Sequence, residues 1–95
     1  MARSIGVVEC DCLSDVIKAA DRMVKSADVR LVRQEQIGNS KVALVLEGET
    51  DDVERALAAA KEGMPPTLTT TLIPNIRGEV LNIFDLPGGR FWQRA

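Results

Sequence analysis

Two strand-like runs, residues 29–36 and 41–47, are joined by the short polar link Ile37-Gly38-Asn39-Ser40. Runs this close in sequence pair antiparallel, because a parallel pair requires a crossover of about a dozen residues or more. Gly38 suits a backbone that turns tightly or closely approaches another backbone. Gly48 closes the hairpin block.

The flanking segments alternate in type. Residues 5–10 read as a first strand, with Gly6 marking a place where another element comes close. Leu13, Val16, Ile17, Ala20, Met23, Val24 and Ala27 recur every three or four residues, which predicts one apolar face of a helix. Ser14 and Asp15 are placed to satisfy orphan N–H groups at its start. Thr50 is suited to cap a second helix, with Asp51, Asp52 and Glu54 in the positively polarised first turn and Val53, Ala56, Leu57 and Ala60 as its buried stripe. Gly63 and Pro65-Pro66 end that helix, and residues 68–73, rich in threonine, read as a fourth strand stopped by Pro74. The order is β-α-β-β-α-β, an α+β pattern of ferredoxin-like type, followed by a short helix over 79–84 and a tail containing Phe91 and Trp92.

Composition narrows the function classes. A chain of 95 residues is one domain near the size at which partners contribute to stability. The 12 basic and 14 acidic side chains form no basic block, so no nucleic-acid footprint is expected. The apolar runs are far short of the roughly 20 residues that cross a bilayer, and the N-terminus has no signal-peptide pattern, so the chain reads as cytosolic, without a membrane partner. The chain contains no histidine, which removes the commonest general base and imidazole ligand. Cys10 and Cys12 are too close for an ordinary mutual disulfide and too few for a closed structural zinc site; they are expected to be free thiols, Cys-based metal or cluster binding being the weaker reading. Asp51, Asp52 and Glu54 are explained by capping. No catalytic residue, metal site or cofactor is assigned.

Ile5-Gly-Val-Val-Glu9, Ala19-Ala-Asp-Arg-Met-Val-Lys-Ser-Ala-Asp-Val29, the Ile37-Gly38 turn and the Gly48 to Val53 helix entry together resemble the small single-domain shell proteins of bacterial microcompartments, over residues 4 to 74. The resemblance implies a BMC domain over residues 1–95, with a core at 3–84 and a tail at 85–95. It also implies a structural, non-enzymatic subunit of a shell in the bacterial cytoplasm. Such proteins form cyclic homo-hexamers that tile into facets beside other shell proteins and pass small metabolites through a pore on the six-fold axis. By the same resemblance, Gly38, Asn39 and Ser40 line the pore, and Lys25 lies on the edge between hexamers. Gln36 stands where the family commonly has a lysine, and the usual proline-histidine ending is replaced by Asn75-Ile-Arg77.

Small polar groups fit a place where six copies of one loop meet, and Asn39 with Ser40 would give a hydrogen-bonding lining without a charge barrier. The bland alternative is an ordinary surface hairpin, and for Lys25 an ordinary exposed lysine. Phe91 and Trp92 read either as an anchor for a partner, encapsulated enzymes included, or as an end packing on its own subunit. The alternative function from another class is a ferredoxin-like small-molecule-binding regulatory module, for which the chain carries no phosphate-gripping loop.

Overall fold

In the computed structural model, which describes residues 3–37 and 41–84, the elements are β1 (Ser4–Cys10), α1 (Leu13–Ser26), β2 (Arg30–Ile37), β3 (Lys41–Gly48), α2 (Thr50–Lys61), β4 (Thr69–Ile73) and α3 (Gly78–Ile83). The strands form one sheet in the order β2-β3-β1-β4, with every neighbouring pair antiparallel. The βαββαβ expectation holds, as does the short final helix.

Strand alternation divides the core in two. Val8 and Cys10 of β1 with Val42, Leu44 and Leu46 of β3 face α1 and α2, where they meet Val16, Ala19, Met23, Val53, Ala56, Leu57 and Ala60. Gly6 lies on this same face, and a Cβ there would stand 2.9 Å from Val53 Cγ1 and 3.0 Å from Leu46 Cδ2. Its lack of a side chain is what lets α2 lie against the sheet. The opposite face carries a smaller cluster, Ile5, Val45 and Leu81, with Val7, Val32 and Ile76 packed against it.

Three local expectations need correction. Thr50 is the first residue of α2 rather than its cap; Glu49 holds the cap position, with no side-chain cap bond. The Thr50 hydroxyl is instead used by buried Ser4, whose Oγ lies 2.6 Å away and also accepts from the Asn75 amide at 3.2 Å. At α1 the cap residue is Cys12, again without a side-chain cap bond, and the Ser14 hydroxyl lies 3.1 Å from Cys12 Sγ. Asp15 keeps its place in the first turn, where its charge complements the helix dipole. The third correction concerns which side of α1 is buried. Val16, Ala19 and Met23 are, whereas Leu13, Ile17 and Val24, assigned to the same face, are exposed.

The second helix ends as expected, with Gly63 left-handed at φ 67°. Strand β2 contains a bulge: Leu31 pairs with Leu46 and Arg33 with Val45, leaving Val32 extra. As a result, both Val32 and Arg33 serve the sheet face that α1 and α2 leave uncovered.

Candidate functional site

The β2–β3 hairpin ends at the register pair Ile37 and Lys41, on either side of the link singled out from sequence. Gly38, Asn39 and Ser40 themselves lie outside the described residues, as do Phe91 and Trp92.

The outer side of α1 is the most distinctive described surface. Leu13, Ile17 and Val24 are 56%, 61% and 45% exposed. At the helical pitch they form one stripe, and with the buried residues they make an apolar arc about 160° wide. Burial against β1 and α2 uses only part of that arc. Beyond the stripe, Lys25 Nζ pairs with Asp21 Oδ2 at 2.8 Å in an i,i+4 contact, both groups being well exposed. Lys25 thus sits beside an apolar stripe on a protruding helix, an apolar strip with a charged rim. Sequence periodicity missed this division because it assigned the whole arc to the core. The arc's width was the available signal, being more than one contact stripe needs.

A second arrangement, which the sequence reading also missed, is built around Glu47. Its side chain is buried on the sheet face opposite α1 and α2, yet Oε1 lies 3.0 Å from Arg30 Nε and Oε2 faces the Arg3 guanidinium. Oε2 meets that guanidinium as an ion pair without an aligned hydrogen bond. The register supplies the reason: Glu47 pairs with Arg30 across β2–β3 and with Ile5 across β1–β3.

The two thiols separate by environment. Cys10 is fully buried among the helix-facing residues, a small apolar group in effect. Cys12 is exposed at the start of α1, and the hydrogen bond from the Ser14 hydroxyl, with the Asp15 and Ser14 amides, draws its pKa below the ordinary thiol value. Alkylation of the native protein is therefore expected at Cys12 and not Cys10. Ser14→Ala should move the onset of Cys12 labelling to higher pH, because the donor favouring the thiolate is gone; mass spectrometry of iodoacetamide-treated protein reads both effects.

Among the described residues no group of three or more His, Cys, Asp or Glu side chains converges as a metal site. Asp52 is engaged locally, by Arg55 at 2.8 Å and by the Asp28 amide at 3.4 Å. No described helix is long and apolar enough to cross a membrane.

The BMC domain family matches residues 4–76. The bacterial microcompartment shell protein PduA of Salmonella typhimurium is 37% identical over 89 residues, covering 90% of this chain and 93% of that protein. The carboxysome shell protein CcmK1 of Thermosynechococcus vestitus is 38% identical over 64 residues, 67% of this chain and 57% of that one. The match thus spans less than two thirds of the length of such carboxysome relatives. Among solved structures, a microcompartment protein from Desulfitobacterium hafniense DCB superposes with a TM-score of 0.78 at 26% identity, over 90% of this chain and 48% of that one. With its strand order, its register and a match over most of its length, the chain belongs to the BMC domain family.

Proposed function

We propose that this chain is a non-enzymatic shell subunit of a bacterial microcompartment in the cytoplasm, a single BMC domain over residues 1–95. Its homo-hexamers tile into facets beside other shell proteins. The observation that carries this reading is the exposed apolar stripe of α1 with its charged rim, on a chain similar over nearly its whole length to a protein named for shell formation. A chain of this size gains stability by covering such a surface with copies of itself. In this reading Lys25 is an edge residue between hexamers. Gly38, Asn39 and Ser40, on the link between Ile37 and Lys41, line a pore at the six-fold axis that passes small polar metabolites.

Native mass spectrometry followed by negative-stain imaging tests the proposal. Six subunits with sheets or tubes are expected. Lys25→Glu should keep the six-subunit mass while losing the sheets, since it places a second carboxylate beside Asp21 on the exposed rim. A stable monomer, dimer or trimer overturns the hexamer and the pore together. Undisturbed sheets from Lys25→Glu overturn its edge role alone.

A further inference from the structure

At the end of the sheet remote from the hairpin link lies a cleft of about 370 Å³ whose charged lining is Arg3 and Arg30 with Asp28, Glu47 and Glu49. Strand register places the basic side. Arg30 pairs with Glu47 across β2–β3, and Ser4, next to Arg3, pairs with Gly48 across β1–β3, so the two arginines flank Glu47. The acidic side comes from the connections to the helices: Asp28 lies between α1 and β2, and Glu49 between β3 and α2. Gly48 lets these two connections meet, since a Cβ there would stand 3.2 Å from the Asp28 carbonyl oxygen and 3.4 Å from Val29 Cγ1.

The two sides differ in how their charges are held. The Glu47 side chain, only 7% exposed, engages both guanidiniums, Oε1 with Arg30 Nε at 3.0 Å and Oε2 with Arg3. Arg3 is also tied at its backbone, its carbonyl accepting from the Ile76 amide at 3.2 Å. Yet the Arg30 and Arg3 side chains remain 67% and 50% exposed, so each keeps N–H groups for a further acceptor. Buried Oε2 has no aligned hydrogen bond, a shortfall that a ligand can correct by re-aiming the half-exposed Arg3. On the acidic side, the Asp28 and Glu49 carboxylates have no ion pair or hydrogen bond among the described residues. Neighbouring charges are already matched, Asp52 with Arg55 and Lys25 with Asp21, each at 2.8 Å. A simple anion entering the cleft meets two unmatched carboxylates, and a simple cation meets two guanidiniums. A molecule that carries both signs finds a partner on each side.

We propose that this cleft binds a small zwitterion of the amino-acid class, with one carboxylate and one ammonium group. The carboxylate takes the remaining N–H groups of Arg3 and Arg30, charge-assisted bonds that guanidinium geometry favours. The ammonium group lies against Asp28 and Glu49. Glu47 is a positioning residue, holding the guanidiniums where one carboxylate can bridge them. The volume falls in the range of small-molecule sites.

Saturation-transfer difference NMR on the full chain at low salt tests the site, with glycine, β-alanine and γ-aminobutyrate as probes and propanoate and propylamine as single-charge controls. At least one zwitterion is expected to bind saturably, several-fold more tightly than either control. Arg30→Gln, and independently Asp28→Asn with Glu49→Gln, should weaken that binding several-fold with far-ultraviolet circular dichroism unchanged. Lys18→Gln, an exposed cation outside the cleft, should leave it unchanged. Glu47→Leu keeps both arginines but frees them, and should also weaken it several-fold; unchanged affinity there overturns the positioning role. Absence of saturable binding, controls that bind as well as the zwitterions, indifference to either wall variant, or an equal loss in Lys18→Gln overturns the site. The readout is independent of the six-subunit mass, so this proposal and the shell reading fail separately.

Discussion

A single methyl group added at Gly6 is expected to lower the unfolding free energy by about 1–3 kcal/mol, the usual range for overpacking a filled core. The new carbon would meet Val53 Cγ1 at 2.9 Å and Leu46 at 3.0 and 3.1 Å. Leu46 can rotate, but Val53 is β-branched and fixed on α2, so the helix itself has to move. Gly6→Val, with two further carbons, should leave no soluble folded protein. The cause can be isolated with Val53→Ala, which removes the nearest atom. Gly6→Ala and Val53→Ala together should cost less than the sum of the two single changes, the difference being about 0.5–3 kcal/mol. Urea unfolding at fixed protomer concentration measures all four corners of the cycle, the concentration being held because the proposed assembly would contribute to stability. Gly78→Ala, where nothing stands within 4 Å of the added carbon, is the control and should be neutral or slightly stabilising. Additive costs at Gly6 and Val53 would mean that α2 does not rest on the glycine.

The second large effect is expected from removing Arg3 and Arg30 together. Each guanidinium is half or more exposed, so either one alone contributes little, as exposed ion pairs generally do. Their shared partner is different, because the Glu47 side chain is buried. Arg3→Ala or Arg30→Ala leaves the carboxylate one cation; the double change leaves it none. The double variant should therefore lose more than the two singles combined, by about 1–3 kcal/mol. Glu47→Leu should instead be close to neutral, since it removes the charge that needs pairing and frees both arginines to reach water. Denaturation midpoints of the four variants decide the matter, and strict additivity of the arginine changes would refute the clasp.

The elements that sequence made legible are those that local chemistry determines. Gly63, Pro65-Pro66 and Pro74 punctuate the chain where they were expected to, and the hairpin pairs as its short link requires. Periodicity located α1 but assigned Leu13, Ile17 and Val24 to the core with Val16 and Met23. An apolar residue looks the same in a sequence whether it faces its own sheet or another copy, so the surface that best supports the functional reading was concealed in the core list. Thr50 shows the same limit at one residue, its hydroxyl being used by Ser4, distant in sequence and adjacent in the fold. The Glu47 clasp and the cleft beside it depend on strand register and on the bulge at Val32, which no local pattern announces. The pore residues and Lys25 rest on family resemblance and stay proposals.

The bulge at Val32 also bears on how copies of the chain can go wrong. A subunit that meets its own copies at high local density is exposed to strand addition, in which an open sheet edge templates the next chain and a fibre grows in place of a layer. Both edges of this sheet resist that. The β2 edge is broken in register at Val32, and β4 spans only Thr69–Ile73 before Pro74 ends it. In the proposed shell, chains built this way would meet through side chains and not by strand addition, so growth would stay in the layer.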